Sequence, residues 1–222
     1  MAYQLILASA SPRRKELLEK IGFTVKTIPA DVEETSLEGE EPTEFVKRMA
    51  RSKVLAVVQR LKGSMAPASP GEDQGVGQPV HSSSQGGQQA RWVVGADTIV
   101  GLAGEILGKP RDSDHAFEIL QKLNGREHTV VTGFCVFDLA KNKEGIQAVV
   151  SKVKMKGMTR PEIEKYLSVG ESLDKAGAYA VQGVGSYLID SIQGSYSNVV
   201  GLPLCQLMEM YEEMGANDIL PY

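Results

Sequence analysis

Residues 5–22 constrain this chain more than any other stretch. Leu5-Ile6-Leu7-Ala8 is a short continuous apolar run of the kind a buried strand carries. Ser9, Ala10 and Ser11 then turn the chain. Ser11 suits a helix N-cap and Pro12 the first helical position. Leu17, Leu18 and Ile21 give that helix a buried face, and Gly22 ends it. A core strand thus runs through a tight turn into a helix N-terminus. Arg13 and Arg14 sit in the first helical turn, where the helix dipole is already positive and cations are misplaced. Two guanidinium groups, two hydroxyls and several backbone N–H groups at one point suit an anion, most simply phosphate. The plainer alternative is two solvated arginines on a surface helix.

A second organising stretch lies at residues 92–100. Trp92-Val93-Val94 reads as a buried strand and Gly95-Ala96-Asp97-Thr98 follows it. Residues 99–100 and 105–107 pair as a hairpin across Leu102-Ala103-Gly104. Asp97 stands among Val94, Gly95, Ala96, Ile99 and Val100, and an aspartate in such a run usually has a partner or a task. Gly108-Lys109-Pro110 places another cation beside a rigid turn.

Between these stretches, residues 24–28 read as a second strand and residues 29–41 as a polar segment in which Asp31, Glu33 and Glu34 cluster; on residues alone this is a solvated acidic loop. Residues 42–61 form a helix whose stripe is Phe45, Val46, Met49, Ala50, Val54, Val57, Val58 and Leu61. Lys53 falls inside that stripe. Either it snorkels to solvent or it meets an internal anion, because an unpaired buried ammonium is costly. Residues 62–91 are rich in glycine, serine, glutamine and proline and almost without large apolar residues, so they cannot offset the entropy of ordering. They read as a flexible insertion within one domain spanning residues 1–222.

Downstream, the pattern predicts a helix over 113–123, a hairpin of strands at 128–137 and 147–158, and a capping-box helix from Thr159 to about Ser168. Residues 170–185 are rich in glycine and alanine. A last strand pair is expected from residues 186–192 and 196–200, then a C-terminal helix with Leu204, Leu207, Met208 and Tyr211 inward. The fold class is α/β with a mixed sheet. Cys135 and Cys205 lie in apolar surroundings and read as buried free thiols in a reducing compartment. No run is long and apolar enough to span a membrane, and residues 1–4 lack the features of a signal peptide, so a cytoplasmic protein without a membrane partner is expected. The net charge of -4 argues against a nucleic-acid polymer as partner. His81, His115 and His128 have no zinc-like spacing, so a metal here is a hard cation on carboxylates.

The phosphate-loop, dinucleotide and nucleophile-elbow glycine motifs are all missing from the sequence. What remains is Arg13, Arg14, Lys53 and Lys109 with Asp97, four cations and one acid beside core elements. That set makes sense around a polyphosphate: the cations neutralise it, and the acid, with another carboxylate, holds a divalent metal or activates water.

Several short motifs occur in one order along the chain: Ala-Ser-Ala-Ser-Pro-Arg-Arg at 8–14, Ala-Arg-Ser-Lys ending at Lys53, Gly-Ala-Asp-Thr at 95–98, Gly-Lys-Pro at 108–110, Asp-Lys-Ala-Gly-Ala-Tyr-Ala-Val-Gln-Gly at 174–183, and Asn-Val-Val-Gly-Leu-Pro at 198–203. Together they resemble the Maf family of nucleotide pyrophosphatases over nearly the whole chain, apart from residues 62–91. The resemblance implies a fold like that of inosine triphosphate pyrophosphatases, a long twisted mixed sheet with flanking helices and a cleft between two lobes. It implies hydrolysis of nucleoside triphosphates to monophosphate and pyrophosphate with Mg²⁺, Mn²⁺ or Co²⁺, and a homodimer as assembly. It makes Asp97 the catalytic base and a metal ligand, Glu34 a second metal ligand, and Ser9, Arg13, Arg14, Lys53 and Lys109 the phosphate-binding set. Arg13, Thr98 and Gln182 become the residues of base choice and resemble the branch acting on dTTP and UTP. A branch acting on modified or purine nucleotides such as 7-methyl-GTP, and a regulatory binding protein that restrains cell division, are the other roles the resemblance carries.

Overall fold

The computed structural model describes residues 3–63, 90–216 and 219. Among them a seven-stranded mixed sheet runs in the order β2-β1-β3-β5-β6-β7, with β4 paired to β3 beside β1. The strands are β1 Tyr3–Leu7, β2 Phe23–Thr27, β3 Trp92–Leu102, β4 Glu105–Leu107, β5 Glu127–Asp138, β6 Lys143–Met155 and β7 Ile189–Gln193. β2, β1 and β3 are mutually parallel and the remaining pairs antiparallel. The helices are α1 Pro12–Lys20, α2 Pro42–Gly63, α3 Ser113–Leu123, α4 Arg160–Leu167, α5 Tyr196–Val200 and α6 Leu204–Glu213. None of them is long and apolar enough to cross a membrane. The insertion expected at 62–91 lies, for residues 64–89, outside the described residues; Lys62 and Gly63 belong to the end of α2.

Side chains alternate across the sheet, and the core divides accordingly. Ile6, Ala8, Val93, Ile99, Val131, Cys135 and Phe137 pack with the stripe of α2 on one face. On the other face Leu5, Leu7, Trp92, Val94, Ala96, Phe134 and Val136 pack with α1, α5 and α6. Farther along that same face Val100, Leu102, Val130 and Val153 pack with α3 and α4. Helix α2 lies unusually close to the sheet because β3 and β5 present Gly95 and Gly133 to it. A Cβ at 133 would sit 2.4 Å from the carbonyl group of Val46, and one at 95 would sit 2.8 Å from Val54 Cγ2.

Three expectations fail. Residues 196–200 form helix α5, not a strand, and β7 pairs with β6 instead. The aromatic and β-branched residues there favour a strand locally. The Ser195 side chain, however, accepts from the Asn198 N–H at 3.2 Å and caps a helical turn, after Gly194 reverses the chain at φ 121°. Residues 183–188 are a 3₁₀ turn leading into β7 rather than its first half. Cys135 is a buried thiol as expected, but Cys205 is exposed, because the buried stripe of α6 is Leu207, Met208, Met210 and Tyr211 and position 205 faces away from it.

Candidate active site

The strand pairing leaves a notch. β1 covers the edge of β3 only from Trp92 to Val94, and β4 covers it only from Val100 to Leu102. Between them, among the described residues, no strand pairs with residues 95–99 on that edge, and Asp97 and Thr98 lie in the gap. A cavity of about 740 Å³ opens there, within the range of pockets that enclose small ligands. It is bounded by the β1–α1 turn, α2, the loop after β4, the segment 174–182 and the end of α5.

Successive residues of β3 point to opposite faces, so the notch is furnished from both. On the α2 face Asp97 meets Lys53: Nζ donates to Asp97 Oδ1 at 2.6 Å, and Glu34 Oε1 lies 2.5 Å from the same nitrogen. The Lys53 and Asp97 side chains are each only 10% exposed. This answers why a lysine stands in the stripe of α2: it reaches an internal carboxylate, Asp97, and a second, more exposed one, Glu34. Burial works against the charge of Glu34, but the hydrogen bond and charge of Lys53, with Lys109 and Arg14 farther off, outweigh it and hold that carboxyl below its usual range.

On the opposite face Arg14 is locked. Its Nε donates to the Gly201 carbonyl at 2.8 Å, Nη1 to Ser9 Oγ at 3.0 Å and Nη2 to Thr98 Oγ1 at 3.0 Å. A guanidinium has five N–H donors, so two remain beyond these three. Burial pushes its pKa down, opposed by the charge of Asp97. Ser11 holds the N-cap position of α1 without a side-chain capping bond; instead its N–H donates to Ser9 Oγ at 3.2 Å. Ser9 therefore orients both the turn and Arg14.

Arg13 lies 3.7 Å from Asp174 across the cavity. Lys175 Nζ donates to Asp174 Oδ1 at 2.6 Å and to the Glu171 carbonyl. Despite its partial burial, Asp174 is held below the usual carboxylate range, first by the Lys175 hydrogen bond and then by the charges of Lys175 and Arg13. Lys109 and Gln182 also line the cavity. The structure thus gathers Ser9, Arg13, Arg14, Glu34, Lys53, Asp97, Thr98, Lys109 and Gln182 around one space. Of the acidic cluster after β2, Glu34 is the member that faces it. The sequence reading missed Thr132 and Gly201, which touch the site through Thr98 and Arg14. The only local signal was the glycine of the Asn-Val-Val-Gly segment, whose φ of 120° suits glycine.

Among the described residues no group of three or more His, Cys, Asp or Glu side chains is placed to hold a metal. Asp97 and Glu34 nevertheless fit a hard cation such as Mg²⁺, which takes one or two carboxylates and completes its shell with water and substrate phosphates. The two carboxylates already converge on a single cation, Lys53 Nζ. Asp97 Oδ2 makes no hydrogen bond among the described residues.

A mixed sheet broken by a notch, with five cations and three carboxylates around it, defines an α/β protein suited to a polyanion. The family model described as Maf-like protein matches residues 4–214. The chain belongs to the Maf family. It is 41% identical over 213 residues to the dTTP/UTP pyrophosphatase of Geobacter sulfurreducens, covering 96% of this chain and 97% of that one. It is 40% identical over 209 residues to the dTTP/UTP pyrophosphatase of Clostridioides difficile, covering 94% of each. A solved nucleoside-triphosphatase, described as a dITP/XTP pyrophosphatase, from Mycobacterium abscessus spans 98% of both chains at 11% identity and a TM-score of 0.37, too distant a likeness to carry an argument about the site.

Proposed function

We propose that this chain hydrolyses nucleoside triphosphates to nucleoside monophosphate and pyrophosphate, with dTTP and UTP as its substrates. The observation that carries the reading is the buried Lys53–Asp97 pair, joined by the more exposed Glu34, in a notch that Arg13, Arg14 and Lys109 also line. The names of the relatives point the same way. Arg13, Lys109 and the start of α1 bind the phosphate chain and neutralise it. Asp97 takes a proton from a water whose oxygen bonds to the α-phosphorus, while the bond from that phosphorus to the bridging oxygen breaks and pyrophosphate leaves. Lys53 fixes the orientation of Asp97 and Glu34 and balances their charge side by side. When a divalent cation is bound by Asp97 and Glu34, it supplies Lewis-acid polarisation of the phosphoryl oxygens. Thr98 and Gln182 read the base from the other side of the notch. A homodimer, a cytoplasmic location and one domain interrupted by the segment around residues 64–89 complete the proposal, all on the family resemblance.

Pyrophosphate release across dTTP, UTP, CTP, GTP, ATP and 7-methyl-GTP, with and without Mg²⁺ or Mn²⁺, tests it. We expect dTTP and UTP to lead, and Asp97→Asn to lower kcat by about 10²–10⁴-fold, the usual worth of a general base. An Asp97→Asn variant keeping more than about a tenth of wild-type kcat lies outside that range and refutes the role of Asp97.

A further inference from the structure

The hydroxyl of Thr98 is engaged on two sides. Arg14 Nη2 donates to it at 3.0 Å, and it lies 2.9 Å from the hydroxyl of Thr132, its register partner on β5. Thr132 is fully buried, and its own hydroxyl donates to the Asn198 carbonyl at 3.0 Å. A hydroxyl carries one proton and two lone pairs. Both bonds form together in one direction only, Thr98 to Thr132 to Asn198; the reverse leaves a buried bond unmade. Thr98 therefore accepts from Arg14, donates to Thr132, and keeps one free lone pair and no free proton.

Both ends of this chain of bonds are fixed. The Asn198 side-chain amide donates to the Val130 carbonyl at 3.2 Å and to Ser151 Oγ at 2.9 Å, and its main-chain N–H donates to Ser195 Oγ at 3.2 Å. At the other end the Gly201 carbonyl and Ser9 Oγ hold the guanidinium of Arg14. A Cβ at 201 would stand 3.4 Å from Thr98 Oγ1 and 3.5 Å from Arg14 Nε, so glycine there keeps the group clear of side chains.

We propose that Thr132 is a positioning residue that makes Thr98 an acceptor-only group in the cleft. Thr98 then takes the ring N–H of a pyrimidine-2,4-dione base and turns away a base with a lone pair on that ring nitrogen. This rests on the pyrimidine reading above. Uracil and thymine carry one N–H on their pairing edge, whereas cytosine presents a lone pair at the same ring position.

The test measures kcat/KM for UTP, CTP and 3-methyluridine triphosphate, with melting temperature alongside. Thr132→Val is close to threonine in shape but frees the proton of Thr98, which then donates as well as accepts. We expect the UTP-to-CTP ratio to narrow about fivefold or more, the worth of roughly one hydrogen bond, and Thr132→Ser to hold it within about twofold of wild type. A purely structural threonine would lower melting and both rates together and leave the ratio alone. An unchanged ratio in a folded Thr132→Val, with UTP still preferred by wild type, overturns the inference and spares the pyrimidine reading. Wild-type enzyme that treats UTP and CTP alike overturns both. Should Thr132→Val not fold, wild-type enzyme decides: 3-methyluridine triphosphate used as well as UTP overturns the inference, and a loss of about tenfold or more, the cost of an unpaired buried group, supports it.

Discussion

Gly133→Ala adds one methyl group, touches no charged residue of the site, and should nonetheless cripple it. Gly133 is the register partner of Asp97 and faces α2. Its backbone is not left-handed, so alanine suits its conformation and the penalty is one of space alone. The new Cβ would lie 2.4 Å from the Val46 carbonyl carbon and oxygen and 2.6 Å from the Lys47 nitrogen, against about 3.4 Å for ordinary contact. All three neighbours are backbone, so no rotamer change relieves the clash and α2 has to retreat by about 1 Å. Overpacking of this kind typically costs about 1–3 kcal/mol, which for a chain of this length lowers Tm by about 2–12 °C. Lys53 is two helical turns along and holds Asp97 at 2.6 Å. A 1 Å retreat takes that contact to about 3.6 Å, where it is no longer a hydrogen bond. Misplacement of that size costs about 10²-fold in catalysis. Gly95→Ala is the internal comparison. Its Cβ meets the Val54 Cγ2 methyl at 2.8 Å and the Ala50 carbonyl oxygen at 3.2 Å, a smaller displacement, so both its losses should be smaller. Calorimetry and pyrophosphate release on the two variants check the order. A Gly133→Ala enzyme with wild-type Tm and kcat/KM would refute the view that close packing of α2 sets the Lys53–Asp97 contact.

Two further outcomes follow from other parts of the fold. His128 is buried, with Nε2 2.7 Å from the Tyr179 hydroxyl, and burial depresses its pKa to about 4; the unfolded chain takes the proton near 6.5, so stability is full above that pH and falls as pH drops toward 4, by about 3 kcal/mol in all. Denaturant titrations at intervals between pH 7 and 4 should show this slope in wild type and a flatter one in His128→Gln, and equal slopes would refute the assignment. Replacing residues 64–89, whose composition offers no core, with a short Gly/Ser linker should leave melting and kcat/KM nearly unchanged, since loop length adds little closure entropy; a large rise in KM would show that the segment takes part in binding.

What the sequence made legible is what local chemistry decides. The start of α1 at Pro12, the bounds of α3 and the Thr159–Glu162 capping box follow from residues a turn apart, and the structure has them where the pattern put them. The position of Lys53 in an apolar stripe left two readings, a snorkelling lysine or one that meets an internal anion, and Asp97 in an apolar strand called for a partner or a task; the structure pairs the two. The pattern failed where distant contacts overrule local preference. Residues 196–200 look like a strand and become a helix under the Ser195 cap. Arg14 was legible as a cation but not as a tie, because Thr98 and Gly201 are 84 and 187 residues away. Thr132 carried no signal at all: a threonine in a β-strand is ordinary, and only the register that sets it beside Thr98 gives it something to do.

The notch itself could not be read from any segment, because it is the space between two strands that stop short. β1 must end at Leu7 for the turn to α1 to begin, and β4 is only three residues long. Together they leave residues 95–99 of β3 without a strand neighbour on one edge among the described residues. Because successive side chains of a strand point to opposite faces, adjacent residues in that gap supply two separate environments to one cavity. Asp97 turns toward α2 and its lysine; Thr98 turns toward Arg14 and α5. The buried ammonium that meets Asp97 at 2.6 Å thereby stands on the face opposite the one where Arg14 and Thr132 orient the Thr98 hydroxyl. One prediction separates the two halves: truncating Lys53 should lower turnover on every nucleotide alike, since it acts on the phosphate side, whereas changes on the Thr98 side should alter which nucleotide is preferred. If Lys53→Met shifted base preference as much as rate, the two faces would have to be coupled through the strand, and this division of labour would be wrong.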